Sequence, residues 1–151
     1  MSRWIKITEE NLATYQAGKL VDAMKTKALD VGQENPIPEA IRVVVAKIRG
    51  AIMAGGYSVD KDASLIPASL ERDAFALIVA VAKPRLSLEL KDDEKTANLK
   101  ALELLDKIAA GEFDVSRPDN PAADETAQKS GGCKLVPPAR GVPARNDFNG
   151  L

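Results

Sequence analysis

Ala74-Phe75-Ala76-Leu77-Ile78-Val79-Ala80-Val81-Ala82 is the longest uninterrupted apolar run in the chain. Nine residues fall far short of the roughly 20 that cross a bilayer, so no membrane span is expected. Pro67 precedes the run with Glu71 in what would be a first helical turn, and Pro84 follows it. A segment of that length, apolar on every side, predicts a central helix buried all round. The remaining elements are then read as its cover.

Downstream, Asp92-Asp93-Glu94 supplies an acidic first turn for a last helix. Leu99, Leu102, Leu105 and Ile108 are expected on its inner side, with Lys100, Glu103, Asp106 and Lys107 outside and Glu103 paired to Lys107. Gly111 fits the position just past the helix end. Phe75, Ile78, Leu102, Leu105 and Ile108 should pack together. Upstream, Pro36-Ile37-Pro38-Glu39 reads as a helix start. Val43-Val44-Val45 has strand character, but the apolar pattern runs on to about Ala54 before Gly55-Gly56 stops it, and strands are usually shorter. Residues 57–66 read as a polar loop. Nearer the start, Thr8-Glu9-Glu10 opens a helix carrying Leu12, Tyr15, Leu20, Val21 and Met24, and Gly18 should break it into two. Gly32 to Pro36 reads as a linker.

The expectation is an all-α fold, a compact bundle of four to five helices over residues 1–115, with a long extended C-terminal arm over 116–151. From Arg117 onward, 35 residues hold five of the nine prolines and four of the ten glycines, without helical or strand period. Aromatics are only 4%, which suits a core of Leu, Ile, Val and Ala. With 21 basic and 22 acidic side chains, the balance gives no global pull toward nucleic acid or an anionic membrane.

The chain has no histidine and a single cysteine, Cys133. Ser-His-Asp and Cys-His catalysis, histidine metal helices, intrachain disulfides and cysteine zinc knuckles therefore drop out. A lone thiol fits a reducing cytoplasm. No signal peptide is expected in Met1 to Lys6. Asp60, Asp62, Ser64 and Glu71 have calcium-loop spacing, but Leu65 stands where the loop needs glycine, so a solvated loop is expected. Gly131-Gly132-Cys133 and the basic stretch 129–145, which lacks interleaved aromatics, read as parts of a solvated or protein-docking arm. No enzyme activity, cofactor or metal is expected.

Within the arm, Lys134, Leu135 and Val136 have edge-strand character before Pro137-Pro138. Arg140 and Arg145 suit carboxylates, and Phe148 with Leu151 forms an apolar anchor. These seven residues are the candidate partner-binding set.

Ile7-Thr8-Glu9-Glu10-Asn11-Leu12, Ile48-Arg49-Gly50-Ala51-Ile52, the loop with Gly56-Tyr57, Leu65-Ile66-Pro67-Ala68-Ser69-Leu70-Glu71-Arg72-Asp73-Ala74 and the Leu99 to Glu112 segment follow one another in a recognisable order. Over residues 4–115 this layout resembles the Mu-like head–tail joining proteins, among the neck adaptors of tailed phages. Arg49-Gly50-Ala51-Ile52 departs from the acidic-Gly-Tyr-Leu turn typical there, and Gly56-Tyr57 from an Arg-Tyr pair. The resemblance implies a virion protein made in the host cytoplasm. It would be a homo-oligomeric, dodecameric ring docked on the portal, receiving the next neck or tail protein and letting DNA pass without sequence-specific contact. A different class of function, a small cytoplasmic helical module whose C-terminal tail captures a protein partner, is also open to a chain of this composition. A carboxylate-based hydrolase or nuclease is disfavoured by the scattered acids.

Overall fold

The computed structural model describes residues 3–15, 18–28, 32 and 34–123. These form five α-helices and one two-stranded sheet: β1 (Trp4–Lys6), α1 (Glu9–Tyr15), α2 (Lys19–Ala28), α3 (Pro36–Ala54), β2 (Leu65–Pro67), α4 (Glu71–Arg85) and α5 (Asp92–Ala109). The fold is mostly helical, as the apolar periodicities require.

α4 is the centre. Ala74, Phe75, Leu77, Ile78, Val79 and Ala82 are buried, and Ala76, Ala80 and Val81 are half-buried. α3 and α5 each pack against it and against one another. Phe75, Ile78, Leu105 and Ile108 are at most 4% exposed, whereas Leu102 is half-buried. Pro84 sits in the last turn of α4, which ends one residue later. Ser87 then takes φ 55°, a left-handed conformation that turns the chain toward α5.

α3 begins as its prolines dictate: Asn35 Oδ1 accepts the Ile37 N–H at 3.1 Å, Pro36 needs no acceptor, and Ile37, Ala40, Val44, Val45, Ile48 and Ile52 make the buried stripe. It stops at Gly55, with Gly56 at φ 82°. A Cβ on Gly55 would stand 2.1 Å from the Ile108 carbonyl oxygen, so the ends of α3 and α5 meet backbone to backbone only because that residue is glycine. At the chain start, the Asn11 N–H donates to Thr8 Oγ1, and the helix breaks around Gly18. Lys25 bridges back to Glu9 at 3.0 Å, and Tyr15 stacks on Phe75 with centroids 4.9 Å apart.

Four expectations are corrected. First, residues 57–66 are not loop throughout: β2 pairs antiparallel with β1, Trp4 opposite Pro67 and Lys6 opposite Leu65. Three-residue strands are too short to show alternation, and their partners lie some 60 residues apart in sequence. Second, Pro67 ends β2 rather than starting a long helix; one 3₁₀ turn, Ala68–Leu70, intervenes before α4. Third, Leu99 is 60% exposed. The inner face of α5 is Glu94, Ala101, Leu105 and Ile108, so its N-terminal part is filled by a carboxylate and a small residue, which a search for large apolar side chains overlooks. Fourth, the Glu103–Lys107 pair is not among the ion pairs of the described residues; both side chains are exposed, where holding such a pair gains little.

Beyond Gly111 the chain runs back across the body. Val115 and Pro118 are buried, and Trp4 Nε1 donates to the Ser116 carbonyl at 2.9 Å. Residues 116–122, the first part of the segment set apart by composition, are therefore tied to β1 and to the 59–61 loop. The rest, with Lys134, Leu135, Val136, Arg140, Arg145, Phe148 and Leu151, lies outside the described residues.

Candidate docking groove

Arg49, on the solvent side of α3, reaches the loop that follows it. One guanidinium nitrogen donates to the Asp62 and Leu65 carbonyls, each at 2.9 Å, and the other to the Asp60 carbonyl at 2.6 Å. The group lies 6.0 Å from the Trp4 ring centroid. Burial lowers the Arg49 pKa from its ordinary value, while the Asp60 and Asp62 carboxylates oppose the shift. Charge on the guanidinium thus closes the loop and the β1–β2 corner on α3.

Asp60 completes the clamp from inside. It is 4% exposed; Oδ1 accepts the Asp62 N–H at 2.9 Å and Oδ2 the Asn120 N–H at 3.3 Å. Asp62 in turn accepts the Ser64 N–H at 2.9 Å and hydroxyl at 2.7 Å, bonds that hold its carboxyl below the usual range. Asp60 and Asp62, two of the acids with calcium-loop spacing, are turned to protein donors. No group of three or more metal-ligating side chains occurs among the described residues.

This clamp forms one wall of an open groove of about 570 Å³ along α3. Pro38, Ile41, Val45 and Met53 give it an apolar floor, Ala63 and Ser64 come from the clamped loop, and Lys6, Arg42 and Arg49 supply three cations with no acid among the lining residues. Glu39 pairs with Arg42 at 2.6 Å from outside; that contact lowers the Glu39 pKa and raises that of Arg42. Met53 is 53% exposed, a large unbranched side chain suited to an adaptable contact.

The groove is not legible as such in the sequence, where Ile41 and Met53 belong to the same apolar pattern as the buried Val44, Val45, Ile48 and Ile52. A usable signal existed: Ile41, Val43 and Met53 widen the apolar surface of α3 beyond one buried stripe. None of the seven arm residues proposed from sequence falls among the described residues, so the groove and the arm set are separate candidates.

Two other features bear on chemistry. Lys83, 3% exposed, lies between α4 and α5 with its Nζ 2.6 and 2.5 Å from the two Glu94 oxygens. Asp73, in the first turn of α4, has its carboxyl pKa raised by burial. Every buried side-chain N or O among the described residues has a hydrogen-bond partner. No helix among them is long and apolar enough to cross a membrane.

Comparison with family models, with curated proteins and with solved structures finds no match to this chain.

Proposed function

We propose that the protein is a structural subunit of a tailed-phage neck, a head–tail adaptor that assembles into a ring between the portal and the next neck or tail protein. The observation that carries this reading is the α3 groove: open, apolar and cation-rimmed, it has the form of a protein-docking surface on a rigid helical body. The order of motifs over residues 4–115 supports the same assignment. The helical body would form the ring, and the arm with Lys134, Leu135, Val136, Arg140, Arg145, Phe148 and Leu151 would attach to the portal or an adjacent subunit.

Mixing the purified chain with portal-bearing heads tests the reading. An adaptor sediments with the heads and appears as a ring at the portal vertex; deleting residues 130–151 leaves the body folded and abolishes attachment. A chain that stays small and never joins heads, yet binds another protein through its tail, belongs to the binding-module class instead.

A further inference from the structure

The groove is open in the described body, and the chain itself carries a candidate to fill it. The last described residues, Pro121 to Ala123, leave the body alongside Val59 to Lys61: Asp60 bridges Pro121, the Lys61 N–H donates to the Asn120 carbonyl, and the Ala122 N–H to the Val59 carbonyl. That is the loop whose next residues, Ala63 and Ser64, wall the groove. The pairing is antiparallel, so the described chain ends one residue past Ala122, which pairs with Val59, on the same clamped loop that supplies Ala63 and Ser64, with 28 residues still to run.

Charge selects which part of the tail fits. Between Thr126 and Asn146 the tail carries Lys129, Lys134, Arg140 and Arg145 and no acid. Those residues would meet like charges at Lys6, Arg42 and Arg49. Asp147 is the one acid beyond Glu125, and the large apolar residues Phe148 and Leu151 flank Asn149-Gly150. Asn-Gly favours a tight turn, which would bring Phe148 and Leu151 within about 7 Å of each other.

We propose that the α3 groove is the docking site for the protein's own Asp147–Leu151 segment, with Phe148 and Leu151 on the Ile41, Val45 and Met53 floor and Asp147 against Lys6. The intervening residues, on the order of 24, extend to roughly 80 Å, ample to bring the segment back to the groove from the end of the described chain. A tether of this kind holds the segment at an effective concentration near the millimolar range, so capture within one chain outcompetes capture from a neighbour in dilute solution. The inference deepens the adaptor reading by naming what covers the groove before assembly. Its test uses the isolated chain, so it can fail while that reading stands, and the reverse.

The test is methyl NMR of the full chain labelled at methionine. Met53 lies in the groove, and Met24, 0% exposed, reports on the integrity of the core. Phe148→Ser should move the Met53 resonance and leave Met24 in place; Asp147→Lys should move Met53 in the same direction. The wild-type position should persist on dilution. A Met53 resonance indifferent to Phe148→Ser overturns the proposal. So does one that responds to Leu135→Ser instead, which would assign the groove to the other apolar segment. A resonance that shifts on dilution and returns when unlabelled chain is added gives the groove to a second copy, and overturns capture by the protein's own tail.

Discussion

Glu94→Ala leaves a buried ammonium without its counter-charge. Lys83 has only 4% of its side chain exposed and Glu94 13%, and both carboxylate oxygens contact Nζ. Removing one partner of such a pair costs about 3–5 kcal/mol, because the survivor stays desolvated and unpaired. Glu94 also accepts the Lys91 N–H at 2.8 Å, so the same change uncaps α5, for about 1 kcal/mol more. The reverse truncation is milder. In Lys83→Met the thioether fills the buried stem's space, while Glu94, nearer the surface, keeps its bond to Lys91; the expected loss is about 1–3 kcal/mol. The double change Lys83→Met/Glu94→Leu should recover most of the loss of Glu94→Ala, since an apolar pair of similar volume avoids the desolvation of both charges. Urea melts followed by far-UV circular dichroism give the three free energies by linear extrapolation. A Glu94→Ala loss below about 1 kcal/mol, or a Lys83→Met loss larger than it, would refute the asymmetry and with it the buried geometry.

Leu105→Ala should cost about 2–5 kcal/mol in the same melts, because Leu105 is 4% exposed within the central packing. Ser87→Gly should stabilise by about 0.5–1 kcal/mol, because glycine adopts the φ of 55° without Cβ strain; an unchanged midpoint would count against that turn. Gly55→Ala should lower the melting temperature, with a loss of about 1–3 kcal/mol, as its methyl meets the Ile108 carbonyl. Asp73 has a raised folded pKa, so the folded state binds that proton more tightly and stability falls as pH rises from the unfolded value toward the folded one. Asp73→Asn should therefore gain stability relative to wild type above about pH 4 and lose that advantage below it, read as the melting-temperature difference across a pH series.

The helices were legible because each rests on a local signal. The nine-residue run of α4, the Pro-Ile-Pro-Glu start of α3 and the acid triplet of α5 lie within a turn or two of the elements they specify. The β1–β2 pair was not, since Trp4-Ile5-Lys6 acquires strand identity only from Leu65-Ile66-Pro67 on the far side of three helices. Leu99 failed for a related reason: which face of α5 turns inward depends on Lys83 of α4, whose buried ammonium draws Glu94 to the interior. Asp60 and Asp62 could be read as acids at suggestive spacing, but their roles are set by N–H groups, one of them at Asn120. The groove lies between these extremes. Its apolar residues are visible in α3, but their exposure depends on what neighbouring elements leave uncovered.

The stitching of residues 120–122 to the 59–61 loop, and of Ser116 to Trp4, also fixes how the body would bear a load. Tension applied beyond Ala123 meets the Ala122–Val59, Lys61–Asn120 and Asp60–Asn120 bonds first, then the Trp4–Ser116 bond, before it reaches the end of α5. Force is passed into the Arg49 clamp and thus into α3, the longest of the described helices, before it reaches α5. A chain anchored by its tail would resist extraction through backbone hydrogen bonds backed by a buried aspartate, and its first mechanical failure would free a strap and leave the three-helix core intact.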